Sequence, residues 1–309
     1  MRGLSLVKRA IVVPSVALAL LGSCTTIPVA PTPGEQVDVI IRSGDSYFVG
    51  TATYPQDLTE PVPAVLLLPG FLGERDELPV AGTASVQEGG RPLGIWEMTA
   101  IALADAGFAS LRIDYRNSGR SPGRWQDATV TDQLDDARRA LRWLADNPAV
   151  DGTRLALTGL SQGGAVAALI SSDPLVDTVV LWSAAADFAW LTEFVPQELR
   201  PRIESDGIVT FNVPWGEQVT MGRAYFDSVA SLDPLAGIAQ FEGPLLSVAG
   251  SNDVVVAPQP AVAQSFLDAH SGPQSLVVLE ADHTFDSFVG PASMEAAIEA
   301  TLAWLEQHL

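Results

Sequence analysis

Short, dense apolar runs alternate along the chain with stretches of helical periodicity, and the alternation outlines a fold. Gln36 to Arg42 and Tyr47 to Tyr54 both switch between apolar and polar residues at every second position. They flank the turn Ser43-Gly44-Asp45-Ser46 and predict a hairpin. Ala64-Val65-Leu66-Leu67-Leu68 is unbroken apolar sequence, as in a strand buried on both faces. A glycine-rich loop, a helix from about Ile95 to Ala106 and a strand over Ala109 to Asp114 follow. From Thr131 to Asp146, Leu134, Ala137, Leu141 and Leu144 recur at helical spacing, which predicts an amphipathic helix. Arg154 to Leu157 reads as a strand leading into the small, apolar helix Gly164 to Ile170. Strands at Val176 to Ser183, Pro244 to Ala249 and Gln274 to Glu280 complete the pattern, the last two each followed by helical sequence. Strands alternating with helices predict an α/β fold: a doubly wound, mostly parallel sheet with an antiparallel hairpin at its N-terminal edge.

One interval interrupts this rhythm. Residues 188–240 hold Trp190, Phe194, Trp215, Met221, Tyr225 and Phe226 in mixed spacing. A structureless loop of that length does not suit a compact domain. It is read as a small helical lid over the site, the alternative being a helical excursion packed on the side of the sheet.

The chemistry concentrates where strand meets helix. Thr158-Gly159-Leu160-Ser161-Gln162-Gly163-Gly164 is a G-x-S-x-G sequence directly after the Arg154 to Leu157 strand. A serine there sits on a sharp turn with its hydroxyl above the sheet, and the turn leaves no room for a Cβ on either side. The bland alternative is a serine that caps a helix. A serine hydroxyl needs a base, and the chain has three histidines. His308 lies in the last helix and His270 in a turn, whereas His283 directly follows a predicted strand end. Ligands of open α/β sheets bind outside the carboxyl ends of the strands, which places Ser161 and His283 on one edge. The base needs an acid to orient it. Asp253, just past the Pro244 to Ala249 strand, fits; Asp187 is the rival, and Asp282 should point away from its neighbour.

The stretch from about Gln36 to Leu309 resembles the α/β-hydrolases, most of all the serine esterases that include feruloyl and cinnamoyl esterases and dienelactone-hydrolase-like proteins. Besides Ser161, Asp253 and His283 in the family's chain order, Pro69-Gly70-Phe71-Leu72-Gly73 resembles its H-G-F-x-G loop. Asp114 to Ser121 resembles its D-x-R-G-x-G-x-S loop, and Gly250 to Pro258 and Ala281 to Phe285 its acid and histidine loops. The resemblance implies Ser161 as nucleophile, His283 as base, Asp253 as orienting acid, and the backbone N–H groups of Phe71 and Gln162 as the oxyanion hole. Pro69 departs from the family's histidine, but a proline removes only its own N–H. The family needs no metal or organic cofactor, and scattered histidines with a single cysteine offer no ligand cluster. Arg116 and Arg120 fall near the predicted mouth, either to meet a substrate carboxylate or to brace their own loop.

The N-terminus changes the picture of where this happens. Arg2, Lys8 and Arg9 precede the short apolar run Ala10 to Leu21, too short to span a bilayer as a helix and so read as an export signal. The run ends Leu21-Gly22-Ser23-Cys24, which resembles the lipobox of bacterial lipoproteins. Residues 1–23 are then a signal peptide, Cys24 carries the lipid, 24–35 form a Pro-rich tether and 36–309 the hydrolase domain. Two or three acyl chains hold a protein stably on a membrane, and Thr25 after the cysteine points to an outer membrane in an organism that has one. A cleaved signal and a secreted soluble protein is the alternative. The formal net charge is −20; without the signal, 37 acidic residues face 14 basic ones, all arginine, for −23. Such a field repels nucleic acid. The expected partners are a small-molecule ester and, through the anchor, a membrane. The leading function is a membrane-tethered serine esterase. Thioesterase, lipase and peptidase share the apparatus, and a catalytically inactive lipoprotein that binds or scaffolds is the reading from another class.

Overall fold

The computed structural model describes residues 34–85 and 89–309; the expected signal peptide, Cys24 and nearly all of the expected tether lie outside them. The hairpin forms as β1 (Gln36–Ser43) and β2 (Ser46–Thr53), paired in register from Gln36–Thr53 to Ser43–Ser46. The unbroken apolar run is β3 (Val62–Leu68), in which Ala64 to Leu68 are wholly buried. After it come α1 (Ile95–Asp105), β4 (Ala109–Asp114), α2 (Val130–Ala145), β5 (Val150–Leu160), α3 (Gln162–Ile170) and β6 (Thr178–Trp182). An insertion separates β6 from the closing strands. It contains α4 (Ala189–Phe194), α5 (Arg200–Ser205), β7 (Ile208–Asn212), β8 (Gln218–Gly222), α6 (Arg223–Val229) and α7 (Pro234–Ile238). The chain ends with β9 (Leu245–Gly250), α8 (Ala261–Ala269), β10 (Gln274–Leu279) and α9 (Ala292–His308).

The main sheet has eight strands in the order β1-β2-β4-β3-β5-β6-β9-β10, with β2 antiparallel to both its neighbours and the other pairs parallel. Both faces are covered, which is why its central strands read as continuous apolar runs. Leu66 and Leu68 of β3 face a core shared with α2 and α3 (Leu134, Leu141, Val166), and α8 adds Phe266 to it. Val65 and Leu67 face the other core, with Trp96 and Leu103 of α1 and Met294 and Leu305 of α9. At about 25 cal/mol per Å² of apolar surface, these two cores supply the main drive to fold.

The insertion corrects the expectation of a wholly helical lid. Its β7 and β8 form a separate two-stranded antiparallel sheet, with burial alternating along both strands. Val209-Thr210-Phe211 and Val219-Thr220-Met221 alternate at period two, which suits a half-buried hairpin rather than a helix. The two placements weighed for this segment also divide. Trp190, Phe194 and Trp215 face the carboxyl edge of the sheet, whereas α6 packs on α2 and α7 on α3 and α8.

Candidate active site

Ser161 occupies the turn between β5 and α3 with φ 55° and ψ −118°, a conformation an L-residue adopts only under constraint. Its N–H donates to the Trp182 carbonyl at 2.8 Å, and its carbonyl accepts from Ala165 and Ala185 at 3.2 and 3.1 Å. The flanking glycines are required by space. A Cβ on Gly159 would lie 2.2 Å from the Gly163 carbonyl oxygen, and one on Gly163 would lie 2.1 Å from that of Leu68.

His283 follows β10 and Asp253 follows β9, so the parallel register of these strands brings the two loops together. His283 Nδ1 bonds Asp253 Oδ2 at 2.8 Å. The other carboxylate oxygen of Asp253 accepts the N–H groups of Val255 and Val256, both at 2.8 Å, and its side chain is fully buried. A carboxylate pinned by two amides presents a fixed oxygen to the imidazole and leaves Nε2 for the cavity. Asp282 also reaches the cavity, but its Oδ1 accepts N–H groups of Thr284 and Asp286 within its own loop, at 2.8 and 2.9 Å. The rival Asp187 is occupied by the Ala189 N–H and does not line the cavity. His270 is wedged between Gln274 and the Gly243 carbonyl, and His308 packs on Trp304.

Ser161 and His283 share a cavity of about 620 Å³ whose walls include Gly70, Phe71, Leu72 and Gly73 of the loop after β3. This loop comes close to the serine: a Cβ on Gly70 would be 3.5 Å from Ser161 Cβ. Phe71 and Gln162, the anticipated oxyanion pair, have no hydrogen-bond partner for their backbone N–H groups among the described residues. Gln162 opens α3, where the helix dipole adds to the attraction for a negative oxygen. The loop is braced from below by Glu77, a residue the sequence reading did not single out. Its Oε2 accepts the Gly70 N–H at 3.0 Å, and burial pushes its carboxyl up to about 8. Leu72, Glu77 and Ser161, all at positive φ, line the same cavity, as strain gathered at a functional site would.

Phe71, Trp190, Phe194, Trp215 and Phe288 form the aromatic part of the wall. The Phe71 ring meets Trp190 and Trp215 edge-on in the lining, at centroid distances of 5.3 and 6.4 Å, and Trp125 and Tyr225 behind it, at 5.6 and 6.1 Å. Glu74, Glu77, Glu217 and Asp282 are the acidic groups of the lining, and among the described residues no arginine belongs to it. Arg116 is instead held by Asp136 at 2.7 Å and Asp135 at 3.0 Å, and Arg120 by Asp38. The two arginines brace their loop rather than face the site.

A hydroxyl on a strained turn, an imidazole anchored by a carboxylate and two free amides around one cavity can transfer a proton and hold an oxyanion. Together with the strand order and the insertion after β6, this makes the protein a hydrolase of the α/β-hydrolase superfamily. Residues 96–309 match the prolyl oligopeptidase family (peptidase S9), and the chain belongs to that family. An uncharacterized protein of Mycobacterium tuberculosis is 26% identical over 243 residues, which cover 78% of this chain and 70% of the relative. Among solved structures, Est1E from Butyrivibrio proteoclasticus with ferulic acid bound is similar at TM-score 0.68 and 19% identity, covering 87% of this chain and 99% of that one. A dienelactone hydrolase from Anabaena variabilis is similar at TM-score 0.58 and 17% identity, covering 89% and 98%.

Proposed function

We propose that this protein is a serine hydrolase that cleaves carboxylic esters through an acyl-enzyme. Ser161 Oγ attacks the acyl carbonyl as its proton passes to His283 Nε2. Asp253 holds the imidazole and stabilises the imidazolium. The Phe71 and Gln162 N–H groups receive the tetrahedral oxyanion. His283 then gives its proton to the leaving alcohol, and water repeats the cycle on the acyl-enzyme. The observation that carries this reading is the 2.8 Å bond from His283 to Asp253 at the cavity that also holds Ser161.

The wall supports a substrate class. The rings of Phe71, Trp190, Phe194, Trp215 and Phe288 in the lining suit a bulky apolar or aromatic acyl group, the kind of ligand seen in Est1E. Glu74, Glu217 and Asp282 in the lining, with no arginine among the described residues beside them, disfavour an ester that carries its own carboxylate. Aromatic, uncharged esters are therefore the preferred substrates. A panel of p-nitrophenyl esters from acetate to palmitate, with a feruloyl ester, a succinate half-ester and an aminoacyl anilide, tests this. Neutral aromatic esters should lead, and Ser161→Ala should lower kcat by at least about 10⁴-fold. Wild type inert to these esters and to a fluorophosphonate probe would sink the reading.

Family membership favours one other reading, a peptidase with the same three residues. It predicts that the anilide outruns every ester in that panel.

The protein is also proposed to work outside the cytoplasm, lipidated at Cys24 and tethered to a membrane, because the N-terminal sequence supports export and acylation. Cell fractionation checks this: the full chain should sediment with membranes, and Cys24→Ala should move it to the soluble fraction. A wild-type protein found wholly soluble rejects the tether.

A further inference from the structure

Tyr225 belongs to α6 of the insertion, 63 residues along the chain from Gln162 and further from Phe71. It is almost fully buried, at 1% exposure, and touches both sides of the proposed oxyanion hole. Its hydroxyl donates to Gln162 Oε1 at 2.8 Å. Its ring meets Phe71 edge-on at 6.1 Å, and Trp125 supports that ring from 5.7 Å. The chain of bonds continues, since Gln162 Nε2 donates to Gln133 Oε1 of α2 at 2.7 Å.

We propose that Tyr225 is a positioning residue that fixes both oxyanion donors, gripping the Gln162 side chain through its hydroxyl and the Phe71 loop through its ring. This rests on the reading of the Phe71 and Gln162 amides as those donors. The physical case begins with cost. A buried amide or phenol is unfavourable unless paired, and Gln162, Tyr225 and Gln133 are three such groups in a row, all within 1% of zero exposure, with Gln133 Nε2 left without a partner among the described residues. An apolar residue at 162 with phenylalanine at 225 would fill the space without that cost. What the polar chain adds is direction. Gln162 is held from two sides, by α2 and by α6, so the first turn of α3 cannot roll and its N–H keeps one aim. Phe71 lies in a loop with no strand or helix of its own, so ring contacts add to the Glu77–Gly70 bond in holding its amide in place. Burial pushes the Tyr225 phenol well above its ordinary value, so it stays a protonated donor at neutral pH. One side chain thereby couples the insertion to the geometry on which oxyanion stabilisation depends.

Tyr225→Phe keeps the ring and removes the grip on Gln162. With the full-length protein and p-nitrophenyl butyrate, kcat should fall about ten- to hundredfold, below the loss from deleting a donor outright, and KM should stay within about twofold. Phenylboronic acid, whose adduct with Ser161 places a boron-bound oxygen in the hole, should bind weaker by the same factor. Butyrate, which forms no tetrahedral adduct, should bind as before. The melting temperature should drop by only about 2–4 °C. Gln133→Leu cuts the same chain from the far side, away from the rings, and should give a smaller loss confined to kcat. It also carries the test should the Tyr225 variant not fold. The two changes together should be less than additive, because they break one network. If kcat and the boronate constant of both variants stay within about twofold of wild type, Tyr225 only fills the core and the proposal fails. A rise in KM with kcat unchanged overturns it too, as that marks a wall of the substrate pocket. Wild type without ester or fluorophosphonate reactivity is a separate result: it fails the esterase reading first, and this inference with it.

Discussion

Glu77 shows how one side chain can carry both a geometry and a pH dependence. Its carboxyl holds the Gly70 amide, next to the residue proposed to give the first oxyanion donor, and burial raises it to about 8. Below that pH the group is neutral, and a neutral acceptor can brace the loop without opposing an oxyanion. Above it, a negative charge sits against the hole, where it disfavours the negative oxygen forming in the transition state. The kcat/KM of wild type should therefore fall as pH rises past about 8. Glu77→Gln keeps an acceptor for Gly70 but cannot ionise, so it should hold its activity over pH 7.5 to 9.5, to within about twofold. A descending limb of equal depth in the variant assigns it to another group and defeats the prediction. Ser161 offers the contrast. Its role was readable because its conformation demands glycines at 159 and 163, and those glycines stand in the sequence. Glu77 leaves no such trace: a glutamate in a loop of mixed charge looks solvated until the loop folds over it.

The same contrast holds for whole elements. Strands β3 and β9 were legible to within about two residues, because burial on both faces forces largely apolar runs that end where the strand leaves the sheet. The bounds of β4 and of the half-exposed edge strand β10 were equally close. Order along the chain then placed Asp253 and His283 at neighbouring strand ends, and the 2.8 Å bond between them follows from the parallel pairing of β9 with β10. The insertion was legible only as a segment with structure. Its hairpin strands, β7 and β8, are five residues each, and over so few positions period two and a helical stripe are hard to tell apart. Nor could local pattern show that α6 turns inward. Tyr225 acts through Gln162 and Phe71, 63 residues and further away in sequence, and only the packing of α6 on α2 brings them together. From sequence, the arginines of the Asp114 to Ser121 loop suit either substrate or loop. The acidic positions of α2 and β1 decide for the loop, since Asp135, Asp136 and Asp38 take both guanidinium groups.

At the scale of the molecule, the charge balance and the buried carboxyls act in one direction. The chain has a formal net charge of −20, so each further ionisation adds to self-repulsion. Burial raises Glu77 to about 8, and Asp114 and Asp136 to about 6, the last even with Arg116 beside it. A carboxyl whose folded value lies above its unfolded value binds its proton more tightly in the native state. Its stabilising effect is present at low pH and is lost as pH rises toward the folded value. The window for Asp114 and Asp136 runs from about 4 to 6, and that for Glu77 from about 4.5 to 8. Asp135, Asp151 and Asp206 are lowered by their hydrogen-bonding partners, and their contribution is lost only as pH falls below about 4, outside this window. Thermal stability should accordingly be greatest in mildly acidic solution and decline toward pH 8, with the melting temperature falling by about 5 °C or more between pH 5 and 8. Salt separates the two causes. At 0.5 M the Debye length shrinks to about 4 Å, which screens surface repulsion but leaves buried carboxyls nearly untouched. Added salt should raise the melting temperature at each pH and leave part of the slope in place. Glu77→Gln should flatten that residual slope above pH 6. Calorimetry of both proteins at pH 5, 6, 7 and 8, with and without salt, decides the matter. A wild-type melting temperature that climbs from pH 5 to 8 would show that the buried carboxyls do not govern stability.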